Sequence, residues 1–125
     1  MDAGTVVVLL KNETDLPLNV SSWQCEYFGE WVTSPPNIID PHSTGQWATK
    51  PANMFSLESG GTYCYTIGDR DETDDCVLIH WDYDTSTGAG QSCQVNGPDV
   101  YECTPPDPSS YAGANPTMVF TLSKK

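Results

Sequence analysis

The chain has 125 residues, of which 17 are acidic and 5 basic, for a formal net charge of −12. This balance argues against nucleic acid as a partner, because phosphate would be repelled over most of the surface, and against adsorption onto anionic membranes by charge alone. The length is that of a single domain, residues 1–125, able to bury roughly two-thirds of its extended surface, and no apolar run approaches the roughly 20 residues of a membrane helix.

Taken in chain order, the segments read as strands. The start, residues 1–15, has no basic region ahead of its apolar segment and no small-residue cleavage site. It is expected to be a first strand rather than a signal peptide. A secreted protein with its signal removed and Met1 added would look the same. Residues 5–11, TVVVLLK, are a β-branched apolar run suited to a strand central in a sheet. A turn follows, and then LPLNVSSW (16–23). In CEYFGEWV (25–32), Gly29 stands where a bulge would fit. Residues 34–45 hold Pro35, Pro36 and Pro41 and read as an extended loop. QWAT, MFSLE and TYCYTI come next, with Ser59-Gly60-Gly61 expected as the turn before the last of these.

TYCYTI and CVLIHWDY (76–83) read as a hairpin around the polar turn 68–75. In that turn Asp69, Asp71, Thr73 and Asp75 alternate like the start of a calcium loop. The sixth and twelfth positions, however, hold Asp74 and His80 instead of Gly and Glu, so the turn reads as solvated and acidic. The loop DTSTGAG (84–90), the strand QSCQV, a turn at Asn96-Gly97 and the strand VYEC follow, then a long irregular loop and the closing strand TMVFTL (117–122). No window shows sustained helical periodicity. Eight to ten short strands describe an all-β, single-domain antiparallel sandwich or barrel with no long helix.

Five cysteines, at 25, 64, 76, 93 and 103, show no zinc-ligand spacing and lean toward an oxidising compartment. Cys93 and Cys103 flank the Asn-Gly turn and are the preferred disulfide. Cys64 and Cys76 flank the other hairpin in the same way. The sequons at Asn12 and Asn19 fit a secreted or extracellular-acting protein.

Chemistry-bearing patterns are few. With two histidines, His42 and His80, no nucleophile elbow and no phosphate-cradling loop, the chain does not read as an enzyme, and no metal or cofactor is expected. Alternation in 80–84 would set His80, Asp82 and Asp84 on one strand face and Trp81 and Tyr83 on the other. A transition metal on the first face would lack a second nearby His. Four tryptophans favour a binding protein, because an apolar ring with a polar tip suits a lipid–water boundary or a sugar face.

The order of segments resembles the aegerolysins, small acidic β-sandwiches of actinoporin-like build, and the related small insecticidal crystal proteins of bacteria. The likeness is carried by VVVLLKNETDLPLNV, SSWQCEYFGEW, WVTSPPNI, SLESGGTYCYTI, VLIHWDYDTSTGAG and TMVFTLSKK. It implies recognition of a membrane lipid of the sphingolipid and sterol type. It also implies, as in several members, action with a larger perforin-like protein as one component of a two-part pore-forming toxin. Carried over by position, the lipid-facing residues would be Trp23, Trp31, Trp81, Asp82 and Tyr83. The chain departs from the family after Trp-Asp. Tyr83-Asp84-Thr85-Ser86 replaces a Cys-Pro-Trp-Gly stretch and a following Lys, so no cation awaits a phosphate headgroup there. On these grounds the strand 76–83 is expected to emerge at a loop-rich rim. Its aromatics would be exposed or half-exposed toward a neutral partner, with the carboxylates accepting hydrogen bonds from hydroxyls or amides. The alternative is a secreted effector, or a carbohydrate- or protein-binding sandwich, without membrane activity.

Overall fold

The structure, a computed structural model, describes residues 4–21, 25–53, 58–68, 76–97, 100–107 and 115–125. Among the described residues there are eleven strands and no helix: β1 (Val6–Asn12), β2 (Leu18–Val20), β3 (Glu26–Phe28), β4 (Glu30–Thr33), β5 (Ile38–Ile39), β6 (Ser43–Lys50), β7 (Glu58–Ile67), β8 (Cys76–Asp84), β9 (Gly88–Asn96), β10 (Tyr101–Thr104) and β11 (Thr117–Lys124). They form two sheets. One runs β10-β11-β1-β6-β4; the other runs β5-β2-β7-β8-β9, with β3 also paired to β7. The expected sandwich is therefore the fold. Every pairing is antiparallel except that of β1 with β11.

The core follows from alternation in the longer strands. Val6, Val8 and Leu10 of β1, Met118, Phe120 and Leu122 of β11, and Trp47 of β6 face inward from the first sheet. Tyr65 and Ile67 of β7, and Val77, Ile79, Trp81 and Tyr83 of β8, meet them from the second. β1 is central, as expected, yet only one of its faces is covered, so Lys11 stands exposed on the other.

Several local expectations change. Residues 25–32 are two strands in different sheets, not one bulged strand, and the chain crosses between sheets at Gly29. Gly29 has φ 94°, and a Cβ there would collide with the Lys50 carbonyl, so the crossing needs glycine on both counts. Ser59-Gly60-Gly61 is not a turn but the interior of β7. A Cβ on Gly60 would meet the Trp81 carbonyl and one on Gly61 the Glu26 carbonyl, so the two glycines let β8 and β3 close on β7. Gly88-Ala89-Gly90 likewise belongs to β9 rather than to a loop. The β8–β9 turn is tightened by Asp84, whose Oδ1 accepts from the Ser86 amide (2.8 Å) and hydroxyl (2.6 Å).

Cys93 and Cys103 form a disulfide with Cα atoms 6.0 Å apart. The pairing is the expected one, but its setting is not a hairpin. β9 is the edge of one sheet and β10 the edge of the other, so the bridge staples the sheets together. Cys64 and Cys76 are not bridged. The β7–β8 register sets Cys64 opposite Leu78 and Cys76 opposite Thr66, two positions out of step. Such diagonal neighbours lie about 7–8 Å apart, beyond the disulfide range. The Asn12 sequon is closed in the folded chain. Its buried Nδ2 donates to the carbonyls of Leu16, Ile39 and Asp40.

Candidate functional site

Six aromatic side chains form a continuous cluster from the core to the surface. Trp47 and Trp81 meet edge-on at 5.6 Å between ring centroids, and Tyr65 stacks on Trp47 at 6.0 Å. Tyr63 touches Trp47, Trp81 and Trp31. Trp31 lies 6.1 Å from Trp81 on its inner side and 4.5 Å from Tyr27 on its outer side. The ladder leaves the sandwich where β3 and β4 part at Gly29. There Tyr27 is 49 % exposed, Phe28 38 % and Val32 53 %, with Trp31 half-buried beneath Tyr27. A single short stretch thus presents apolar groups at an edge of both sheets.

The build of this edge is local. Trp31 pairs with Thr49, an inward position of β6, so its indole enters the gap between the sheets. Alternation from Trp31 turns Val32 outward, and a register shift between Trp31 and Thr33 sets Thr33 opposite Ala48, on the same outer side. Val32 then joins Thr5, Val7, Thr33, Gln46, Ala48 and Lys50 in lining a groove of about 340 Å³ on the outer face of the five-stranded sheet. Exposed aromatic and aliphatic side chains thus gather on two adjoining edge strands, Phe28 toward the outer face of the six-stranded sheet and Val32 toward that of the five-stranded sheet, and exposed apolar surface of this kind is a candidate contact surface. The flanking charges are largely acidic: Glu26, Glu30 and Glu58 are exposed close by in sequence or register.

The residues expected to face a lipid are only partly here. Trp31 is at the edge, and Trp23 lies outside the described residues. Trp81 is fully buried and Tyr83 is 8 % exposed, so their expected exposure is corrected. Alternation did separate them from His80 and Asp82, but the opposite sheet covers the aromatic face. Trp81 Nε1 donates to Thr49 Oγ1 (3.0 Å), Thr49 to Ser59 Oγ (3.2 Å) and Ser59 to the Gly4 carbonyl (3.0 Å). This chain of buried hydroxyls satisfies the indole inside the core. Trp81 therefore supports Trp31 from below. Asp82 is on the outer face of the six-stranded sheet, where Oδ2 lies 2.7 Å from His80 Nε2. Tyr27, Phe28 and Val32 were absent from the expected set. The run Tyr27-Phe28-Gly29-Glu30-Trp31-Val32 carried the signal, but read as one strand with a bulge at Gly29 it did not show that the chain changes sheets there.

Two further groups are set by their surroundings. Burial, with Cys76 alongside, pushes the Cys64 thiol well above the usual range. The Ser86 hydroxyl and amide hold the Asp84 carboxyl below the usual carboxylate range. The acidic turn with Asp69, Asp71, Thr73 and Asp75 lies outside the described residues. Among the described residues no group of three or more His, Cys, Asp or Glu is arranged to hold a metal ion.

No family model matches the chain, and no curated protein does. Among solved structures it is similar to the lipid-binding protein Nakanori. The TM-score is 0.77 at 12 % identity, over 98 % of this chain and 72 % of that one. At this identity the likeness is one of fold.

Proposed function

We propose that the protein binds membrane lipid through the edge formed by Tyr27, Phe28, Trp31 and Val32. The observation that carries this reading is the exposure of Tyr27, Phe28 and Val32 on the two edge strands that adjoin at Gly29, with Tyr27 stacked on the half-buried Trp31 and through it on the aromatic core. Rings with a polar tip partition to the boundary between headgroups and acyl chains. The lipid-binding solved neighbour of the same fold supports the reading.

The charge narrows the lipid. With a net charge of −12 and glutamates beside the rim, an anionic leaflet is repelled, so the partner is a neutral or zwitterionic surface. A sphingolipid and sterol mixture fits that description and the sequence resemblance. In the same reading the protein acts outside the cell, as the membrane-recognising component of a two-part toxin. A larger perforin-like protein would supply the pore, since binding by a rim requires no change in this fold.

Flotation with vesicles of phosphatidylcholine, of sphingomyelin with cholesterol, and of phosphatidylserine tests the reading. Binding is expected to the first two, strongest to the second, and not to the third. Replacing Tyr27 and Phe28 together by Ser should weaken binding roughly tenfold or more, at about 1–2 kcal/mol for each half-exposed ring. The melting temperature should change little. Binding that is strongest on phosphatidylserine, or unchanged in the double variant, would refute the assignment.

A further inference from the structure

The groove on the outer face of the five-stranded sheet opens at the lipid edge and carries groups that the edge does not use. β6 lies between β1 and β4. Gln46, Ala48 and Lys50 alternate outward along it, about 6.8 Å apart, while Trp47 and Thr49 point into the core. Thr5 and Val7 wall the groove on the β1 side, Val32 and Thr33 on the β4 side. The row Val7, Ala48 and Thr33 crosses its middle. Ala48 is 2 % exposed, and its short side chain between the longer Gln46 and Lys50 makes the hollow of about 340 Å³. That is the small end of the roughly 300–1,000 Å³ of ligand pockets, room for a headgroup and not for a whole lipid.

Opposite charges stand at the mouth of this groove. Lys50 pairs in register with Glu30, beside the Gly29 crossing, where Val32 belongs both to the groove and to the lipid edge. Lys50 is half-buried and Glu30 exposed. Among the described residues the other basic side chains are Lys11, Lys124 and Lys125, and they stand at the far end of the sheet. Lys11 pairs with Thr44, about 20 Å along β6 from Lys50, and Lys124 lies beyond Leu122, the partner of Asn12. When the edge meets a bilayer, water leaves the mouth, and an ammonium and a carboxylate that lose water need partners of opposite charge. A phosphate-free neutral lipid supplies neither partner. An anionic lipid supplies one and is repelled by the surrounding glutamates. A zwitterionic headgroup supplies both.

We infer that this groove is the headgroup site for a zwitterionic phosphodiester, with the phosphate on Lys50 and the headgroup ammonium toward Glu30. The Lys50 ammonium donates to the phosphate oxygens in hydrogen bonds of the stronger, charge-assisted class. Thr33 adds an exposed hydroxyl at the middle of the groove, and Gln46 closes its far end. The methyl groups of Val7, Val32 and Ala48 face the carbon atoms that link the two charges. The inference rests on the lipid-edge reading and sharpens it: among surfaces without net charge, a phospholipid is selected over a phosphate-free glycolipid. The cation missing after Trp81-Asp82 is supplied from β6, in the other sheet.

The test uses the whole chain. Flotation compares vesicles of phosphatidylcholine with vesicles of digalactosyldiacylglycerol, which also carry no net charge but lack phosphate. Glycerophosphocholine and, separately, inorganic phosphate are titrated while the amide resonances of Gln46, Ala48 and Lys50 are followed. Phosphatidylcholine is expected to bind roughly 10-fold or more tighter than the galactolipid, the worth of one hydrogen bond to a charged group. Lys50→Met, which keeps the aliphatic stem, should reduce phosphatidylcholine binding to the galactolipid level. Ala48→Leu fills the groove from its floor and should do the same at an unchanged melting temperature. Lys11→Met makes the same change of charge at the far end of the sheet and should bind as wild type does. Glycerophosphocholine should move the three resonances, and phosphate alone should not. Equal binding to the two lipids, or a preference that survives both Lys50→Met and Ala48→Leu, overturns the site and leaves the lipid edge standing. An equal loss in Lys11→Met overturns it as well, since net charge then accounts for the effect. Phosphate that moves the resonances as strongly as glycerophosphocholine overturns the zwitterionic ligand. Resonance shifts with glycerophosphocholine but no vesicle binding support the groove for a soluble phosphodiester and sink the lipid-edge reading, and the absence of both overturns the two together.

Discussion

Trp81 decides whether the central tryptophans are foundation or contact surface. Its indole is fully buried and is satisfied by Thr49 at the head of a three-step hydroxyl chain. Trp81→Ala should cost about 3–5 kcal/mol for the cavity, and a further ~1 kcal/mol because the Thr49 oxygen loses its donor. Against the roughly 5–15 kcal/mol of a typical domain, that loss takes a large share of the total stability. A gentler pair isolates the hydrogen bond. Trp81→Phe loses both some packing and the donor. Trp47→Phe, at an equally buried indole, loses only packing, because Trp47 Nε1 has no hydrogen-bond partner among the described residues. The first should therefore cost about 1 kcal/mol more than the second. Urea unfolding followed by circular dichroism resolves this, since 1 kcal/mol moves the midpoint by about 0.5 M at a slope near 2 kcal/mol/M. Equal midpoints for the two Phe variants would refute the hydroxyl chain as a stabilising element. A Trp81→Ala protein as stable as wild type would refute the burial itself.

Three other outcomes follow from the packing. Asn12→Ala removes the donor to three carbonyls and the acceptor for the Thr14 amide (3.1 Å) and hydroxyl (2.7 Å), and should lower stability by about 2–3 kcal/mol in a denaturant melt; a neutral effect would show that water replaces these bonds. Replacing both Cys93 and Cys103 by Ser should cost about 2–3 kcal/mol, given the sequence separation of 10, and added reductant should then no longer affect the melt. The Cys64 thiol and the Tyr63 and Tyr65 phenols are all raised, chiefly by burial, so the unfolded chain ionises first. Their stabilising effect is complete below the ordinary thiol and phenol range and is lost as pH rises through and beyond roughly 8.5 to 10, which a pH series of thermal melts measures; a melting temperature still flat above that range would contradict the burial of these groups.

The strand character of this chain is written in its residues. β-branched and aromatic runs, broken by Pro, Gly, Asn and Asp, admit little else, and 80–84 alternates so regularly that its two faces were legible before any fold. The β7–β8 hairpin and the Cys93–Cys103 pair were legible too, because both depend on segments close in sequence. What local pattern lacks is the identity of the covered face. Trp81 and Tyr83 are as suited to a wet rim as to a core, and the arrival of the β1-β6-β11 sheet above them settles the matter. Glycine is ambiguous for a related reason. The same missing Cβ serves a turn, a crossing or a close approach of strands, so Gly60, Gly61, Gly88 and Gly90 read as turn or loop although they lie within strands, and Gly29 reads as a bulge although it separates two sheets. The parallel pairing of β1 with β11 joins the two ends of the described chain and leaves no short-range trace. The candidate edge has the same origin. Tyr27, Phe28, Trp31 and Val32 are adjacent in sequence, but their exposure exists only because the chain changes sheets between them, and the strand partners that force this change lie far away along the chain.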